Sequence, residues 1–191
     1  MCQKAEYRSS IRSHRMIREA YTQFLKEKGL SKITVTDIVT RADLNRAIFY
    51  AHYPDVRGVA EEIEDEIIEK MIDVLKEFKF TSFFKNPAPF LLKLSRCLEE
   101  DDEFYRTLIM ANGSEIFMEK LKNVFSNYML NNSDIPVDMR HTKTVRLRVS
   151  YFAGEIINLY KQWFRGDLDC TLNDIALEIS RLLQLESKEL L

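Results

Sequence analysis

Four polar side chains lie close together between positions 45 and 52, and their types suit contacts with a nucleic acid. Arg46 can bind guanine through two hydrogen bonds, and Asn45 can bind adenine in the same way. Tyr50 and His52 suit contacts with phosphates or with base edges. With flanking residues, the candidate DNA contacts are Thr34, Thr36, Asn45, Arg46, Tyr50, His52 and Arg57. These side chains would bind DNA without making or breaking covalent bonds.

Three predicted helices would position these side chains. The first has an apolar face with helical spacing and ends near Gly29; this face comprises Ile17, Ala20, Tyr21, Phe24 and Leu25. Thr34 and Asp37 form a capping-box pattern at the start of a second, short helix, and Asn45 can cap a third. Two short helices joined by a tight turn predict a helix-turn-helix over about residues 34–53, with its second helix in the major groove.

The charge distribution agrees with a DNA-binding amino-terminal region. Residues 1–57 hold 11 Lys and Arg against 6 Asp and Glu, a net charge of +5, whereas residues 58–191 hold 17 against 24, a net charge of −7. A basic region on an acidic body indicates that residues 1–57 bind an anionic partner such as nucleic acid. A solvated surface is the alternative explanation.

The composition and the apolar spacing predict an all-α chain of about nine helices. The 191 residues include only 5 Gly and 4 Pro. A long fourth helix starts at Val56, and the two most periodic helices are the last two. Connections are expected at Phe80–Pro89 and at Asn131–Thr142, and a helix stop is expected at Gly113. We therefore predict a DNA-binding domain at 1–55 and a helical effector-binding and dimerisation domain at 56–191.

Several other classes of protein are disfavoured. Cys2, Cys97 and Cys170 lie far apart, without metal-ligand spacing, which favours a reducing cytoplasm. No apolar segment follows Met1, and no stretch is long enough to span a membrane, so we expect neither a signal peptide nor membrane association. The sequence has 3 His and lacks the catalytic and phosphate-binding motifs, so we expect no enzyme activity, no metal and no cofactor.

The amino-terminal region resembles the TetR family of transcriptional regulators. The resemblance rests on the segments 34–42 and 48–54, on Leu44, and on the apolar face of the first helix. The carboxyl-terminal half more loosely resembles the branch that includes dihydroxyacetone kinase operon activators; the matching residues there are Phe104, Tyr105, Phe117–Leu121, Ala153, Gly154 and Trp163. This chain departs from the family pattern at Val39, at Asp43, where Gly is usual, and at Val56, where Lys is usual.

The resemblance implies a cytoplasmic bacterial homodimer that binds a palindromic operator, most often as a repressor. The dimer would form through the last two helices, and the predicted interface residues are Ser150, Ala153, Gly154, Ile175, Ile179 and Leu182. An effector would control DNA affinity from a pocket in the body. The predicted pocket residues are Phe104, Tyr105, Leu108, Phe117, Phe125, Tyr151, Tyr160 and Trp163.

Alternatives remain at this point. The effector would be either a small molecule or a partner protein, and a closed apolar pocket or an exposed apolar patch would distinguish them. A helical interaction module that has lost DNA binding is a third reading. Among single residues, Arg46 could be a solvated charge, His52 could pack on Tyr53, and Thr34 could serve only as a helix cap.

Overall fold

The computed structural model describes residues 2–79, 86–110, 114–131 and 142–187, with side chains placed for residues 9–185 of these ranges. These parts contain nine α-helices and no strand, which confirms the all-α prediction. The helices are α1 (Cys2–Lys28), α2 (Val35–Arg41), α3 (Arg46–His52), α4 (Val56–Lys76), α5 (Ala88–Glu99), α6 (Asp102–Met110), α7 (Ser114–Asn131), α8 (Lys143–Arg165) and α9 (Leu172–Ser187). The predicted stop at Gly113 and most of the two predicted connections lie outside the described residues.

The chain forms two compact units, and the division falls within α4, after Glu66. In the first unit, α1 packs against α2 and α3, and these two short helices pack against each other. Apolar side chains from each helix fill the centre of this unit; Ile17, Tyr21, Ile38, Phe49 and Val59 are all at most 1% exposed. This small core holds the two short helices at a fixed angle.

Local signals in the sequence fix where α2 and α3 begin. Thr34 and Asp37 form a reciprocal capping box, in which the Thr34 backbone N–H donates to Asp37 at 2.8 Å. The Asn45 side chain accepts from the backbone N–H of Ile48 at 2.9 Å. Each cap satisfies N–H groups that the first helical turn leaves without partners.

The second unit comprises the end of α4 and helices α5–α9. Helices α5 and α9 form its most extensive helix pair, and α8 packs against α6 and α9. Phe90, Leu91, Leu172, Ala176 and Leu183 are at most 1% exposed and form the centre of the core. A second capping box, between Thr171 and Asp174, starts α9.

None of the helices in the described parts of the chain combines the length and apolar character that crossing a bilayer requires.

Candidate DNA-contact surface and internal cavity

Helix α3 has one buried side and one exposed side, which adjacent aromatic residues illustrate. Phe49 is fully buried, whereas Tyr50 is 54% exposed. Asn45 and Arg46 are also exposed. The structure therefore places three of the predicted contacts on the solvent side of the helix that should enter the major groove.

Arg46 links this exposed side to the start of α2. Its guanidinium donates a hydrogen bond to the Thr36 hydroxyl over 2.8 Å, and Thr36 is itself exposed. One guanidinium nitrogen is thereby positioned, while Arg46 makes no ion pair with a described residue. The remaining donors of the guanidinium are available for a base or a phosphate.

Two other predicted contacts also serve as helix caps. The Thr34 hydroxyl donates to Asp37 at 2.6 Å and accepts from the Asp37 backbone N–H at 3.2 Å. The Lys28 ammonium and the bonds from Thr34 lower the pKa of Asp37 to about 2, so this cap stays ionised. The oxygen of the Asn45 amide is occupied by its capping bond, which leaves the amide nitrogen for a ligand.

His52 is directed toward α1. Its Nε2 lies 2.8 Å from the hydroxyl of Ser13, a residue only 7% exposed. Burial, with a smaller effect of the neighbouring His14, lowers the pKa of His52. The side chain therefore ties the last turn of α3 to α1.

A polar cluster that sequence reasoning missed continues this connection. His14 Nε2 lies 2.8 Å from the Tyr53 hydroxyl and 2.9 Å from a Glu62 carboxylate oxygen. Arg18 bonds to Glu62 at 3.0 Å and also pairs with Glu66. Burial and the nearby Glu62 raise the pKa of Tyr53, so its hydroxyl stays protonated. The cluster joins the end of α3 to α1 and α4.

Arg57 has carboxylate partners of its own. Its guanidinium bonds to Glu61 and to Glu64, each at 3.1 Å, and the Glu64 side chain is only 4% exposed. The start of α4 is likewise partly occupied, because the Gly58 N–H donates to Asp55 at 3.0 Å. A phosphate would have to compete with these carboxylates for Arg57.

The second unit contains a partly open cavity of about 110 Å³. Of the predicted pocket residues, Tyr105, Phe117, Phe125 and Tyr160 line it; Phe104, Leu108, Tyr151 and Trp163 do not. Tyr151 is exposed, and the Trp163 N–H donates to the Cys170 carbonyl at 2.7 Å. Lining residues that the sequence reasoning did not select include Ile67, Met71, Phe90, Leu98, Met118 and Ile156.

The predicted interface residues divide between the core and the surface. Ala153, Ile175 and Ile179 are buried within the single chain, at 0–5% exposure, so they belong to the core of the second unit. Ser150 and Leu182 are exposed, and Gly154 is half-buried. Three large apolar side chains on the same two helices are also exposed, namely Leu147, Tyr151 and Leu185. We call the surface formed by Leu147, Ser150, Tyr151, Gly154, Leu182 and Leu185 the outer face of α8 and α9.

A family model described as a transcriptional regulator C-terminal region, of the TetR type, matches residues 85–185. The chain belongs to the TetR family of transcriptional regulators. No curated protein matches it in sequence. The match covers the unit that carries the cavity and the outer face, and thus complements the amino-terminal resemblance.

Solved structures of TetR-family regulators share the fold of this chain. The dihydroxyacetone kinase operon activator DhaS is 18% identical, with a TM-score of 0.61 over 93% of this chain and 97% of DhaS. A TetR regulator from Streptococcus agalactiae is 17% identical, with a TM-score of 0.69 over 95% and 98%. A TetR-family regulator from Syntrophomonas wolfei is 14% identical, with a TM-score of 0.71 over 94% and 96%.

The turn between α2 and α3 contains the residue at which this TetR-family chain departs from the usual Gly. Asp43 has a φ of 51°, in the left-handed region. The turn is closed by the Leu44 N–H, which donates to the Val39 carbonyl at 2.9 Å. Asp tolerates this conformation better than most residues with a Cβ, because its short polar side chain can bond locally.

We expect two small substitutions at Asp43 to have opposite effects on the stability of the protein. Asp43→Ala should lower the free energy of unfolding by about 1 kcal/mol, because Ala has the same Cβ strain without the polar side chain. Asp43→Gly should be at least as stable as the wild type, because Gly removes the strain. Urea unfolding checks the order of stability, which should be Gly, then Asp, then Ala. An Ala variant as stable as the Gly variant would contradict the assigned strain.

Proposed function

We propose that this TetR-family chain is a sequence-specific DNA-binding repressor that acts in the bacterial cytoplasm. It would bind a palindromic operator as a homodimer, and an effector bound in the second unit would control its DNA affinity. Residues 1–55 would form the DNA-binding domain, and residues 56–191 would bind the effector and the second chain. The observation that carries this proposal is the exposure of Asn45, at the start of α3, and of Arg46 and Tyr50 within it, while Phe49 is buried.

The proposed base contacts come from side chains that have hydrogen-bond donors not used within the protein. Arg46 would bind a guanine through two hydrogen bonds, and the free amide nitrogen of Asn45 would contact a base or a phosphate. Tyr50, Thr34 and Thr36 would contact the DNA backbone. His52 and Arg57 would contribute less, because Ser13, Glu61 and Glu64 already engage them.

The outer face of α8 and α9 supports the proposed homodimer. Leu147 and Tyr151 are 71% and 56% exposed, a large apolar surface for two neighbouring helical turns. A Cβ added at Gly154 would meet no atom of another described element within 4 Å, so packing among the described residues does not require glycine there. Glycine inside a helix costs about 1 kcal/mol relative to Ala, and close approach of a second backbone would offset that cost.

The cavity favours a small-molecule effector over a partner protein. It lies inside the second unit, it is lined almost entirely by apolar side chains, and its size suits a small ligand. A ligand bound there would alter the packing of α4, α6 and α8, whose residues contribute to its wall. Differential binding to two arrangements of these helices would then shift DNA affinity.

Arg46→Ala should weaken operator binding by about 5- to 150-fold, equivalent to about 1–3 kcal/mol, because it removes a two-bond contact with a base. It should also relax the base preference at one position of each half-site. Fluorescence anisotropy with matched and substituted operators measures both effects. Arg41→Ala is the control. It also removes one positive charge, but the Arg41 guanidinium is already bound by Glu27 at 2.6 and 2.9 Å. Equal losses for the two variants would contradict base reading by Arg46.

Selection of binding sites from a random DNA pool tests the proposed function as a whole. A palindrome enriched by the wild-type chain, with binding that weakens steeply as salt rises, would support it. No enrichment by a chain shown to be folded and dimeric would overturn it.

A further inference from the structure

The cavity of the second unit has an apolar lining in which the charged side chains are all cationic. Of its 20 lining residues, none is a carboxylate, and the two charged ones are Lys70 on α4 and Lys161 on α8. Four phenylalanines, Phe90, Phe117, Phe125 and Phe164, contribute to the apolar wall. The cavity therefore combines an apolar interior with two positive charges and no negative one.

Among the described residues, the two lysines have no carboxylate partner; Lys79 and Lys143 of the same unit also lack one, but they do not line the cavity. Lys76, Lys93 and Lys122 form ion pairs with Asp73, Glu77 and Glu119. Among the described residues, neither Lys70 nor Lys161 forms such a pair. Lys70 is exposed and Lys161 is half-buried, which fits ammonium groups at the mouth of the cavity. A charge beside an apolar cavity interacts more strongly with an opposite charge than one in open water.

The two tyrosine hydroxyls of the cavity add no charge. The Tyr160 hydroxyl lies 3.0 Å from the Ser95 hydroxyl, so its hydrogen bonding is already partly met within the protein. Burial raises the pKa of Tyr160 to about 12, so this side chain stays neutral. The Tyr105 hydroxyl makes no hydrogen bond with another described residue and can donate one to a ligand oxygen. The groups left for a ligand are thus donors and cations.

The volume limits the size of the apolar part. The cavity measures about 110 Å³. An apolar protein cavity of about 150 Å³ holds one benzene molecule. A single aromatic ring or a chain of about six carbons is consequently the largest hydrocarbon group that suits this cavity without rearrangement.

We propose that the cavity binds a small apolar carboxylate, either an aromatic acid or a short-chain saturated acid. Its hydrocarbon part lies among Phe90, Phe117 and Phe125, and its carboxylate lies at Lys70 and Lys161. This inference rests on the proposed function, since it names the class of molecule that the effector cavity takes.

Calorimetric titration of the full-length chain, without DNA, tests the ligand class with matched probes. Benzoate and hexanoate are compared with their neutral counterparts, benzyl alcohol and hexanol, and with hexylamine. We expect the carboxylates to bind about tenfold more tightly than the alcohols, which corresponds to about 1.4 kcal/mol. Hexylamine should not bind measurably, and added salt should weaken the carboxylates but not the alcohols. Displacement of benzyl alcohol by benzoate should show that both occupy one site.

Two lysine variants locate the carboxylate. Lys70→Met with Lys161→Met should remove the preference for carboxylates while leaving alcohol binding unchanged, because the apolar wall is intact. Lys76→Met with Lys122→Met is the control: this double variant also removes two positive charges from the second unit, but neither lysine lines the cavity. Alcohols that bind as tightly as carboxylates, a preference that survives in the double variant, or no binding of any probe would each overturn the inference.

The titration and the DNA selection fail independently. Carboxylate binding by a chain that selects no DNA site would leave the ligand inference standing and overturn the regulator proposal. A selected palindrome with no carboxylate binding would support the regulator proposal and overturn the ligand inference.

Discussion

Replacing Gly154 by Leu is expected to leave the chain folded but monomeric. Among the described residues, a Cβ at this position meets no atom of another element within 4 Å, and Gly154 is partly exposed, so we expect the leucine to point outward and the helix to gain from the loss of glycine. In the proposed dimer, the same side chain would hold apart two helices that approach closely. Because a monomer contacts only one half-site, operator affinity should fall by about 1000-fold, to the level of nonspecific binding.

Analytical ultracentrifugation and operator titration measure these two effects, and circular dichroism checks the fold. Glu115→Leu is the matched control, since it adds a leucine at an exposed position of α7, away from the outer face of α8 and α9. The control should remain dimeric and keep its operator affinity. A Gly154→Leu chain that stays dimeric would show that the second chain binds elsewhere.

Replacing Phe49 by Ala is expected to cost about 3–5 kcal/mol of unfolding free energy in the first unit. Phe49 is fully buried at the centre of the helix-turn-helix, and its ring packs near the ring of Tyr53 at 6.0 Å. Truncation leaves a cavity among the helices that pack around the ring. The variant should lose DNA binding because α3 loses its fixed position.

The next residue supplies the control for this prediction. Tyr50 is 54% exposed, and its ring meets the Phe49 ring edge-on at 5.6 Å, so Tyr50→Ala should cost no more than about 1.5 kcal/mol. It should still weaken DNA binding, because the proposed contact is lost while the fold is kept. Urea unfolding followed by operator titration separates the two effects. A Phe49→Ala chain as stable as Tyr50→Ala would contradict the assigned core.

The parts of the fold that the sequence predicted correctly depend on short-range signals. The caps formed by Thr34 with Asp37 and by Asn45 each act over three residues. The apolar spacing of α1 likewise reports one helix at a time. Such patterns are readable because the interacting groups are close along the chain.

The missed parts depend on contacts between distant segments. The partners of His14 and Arg18 lie 39 to 48 residues away, and no spacing rule brings Glu62 to them. An apolar stripe also does not tell which of its edges meets the core. The pattern therefore could not distinguish Ala153, which lies in the core, from its neighbour Gly154, which is partly exposed.

The pocket illustrates the same limit. Aromatic type pointed to Tyr105 and Tyr151 alike, but only Tyr105 lines the cavity, because Tyr151 lies on the outer side of α8. The cavity wall is formed mostly by aliphatic residues, which sequence patterns assign to any core. Lys70 and Lys161 could be recognised as cavity residues only once the surrounding helices were in place.

The central claim is that a dimer places two recognition helices in successive major grooves on one face of DNA. Half-sites should then lie about 34–36 Å apart, one turn of the duplex. The most direct measurement is binding to the selected palindrome before and after insertion of five base pairs at its centre. We predict one dimer per palindrome and a fall to nonspecific affinity on insertion, because half a turn puts the second half-site on the opposite face. Unchanged affinity and stoichiometry after the insertion would contradict the account.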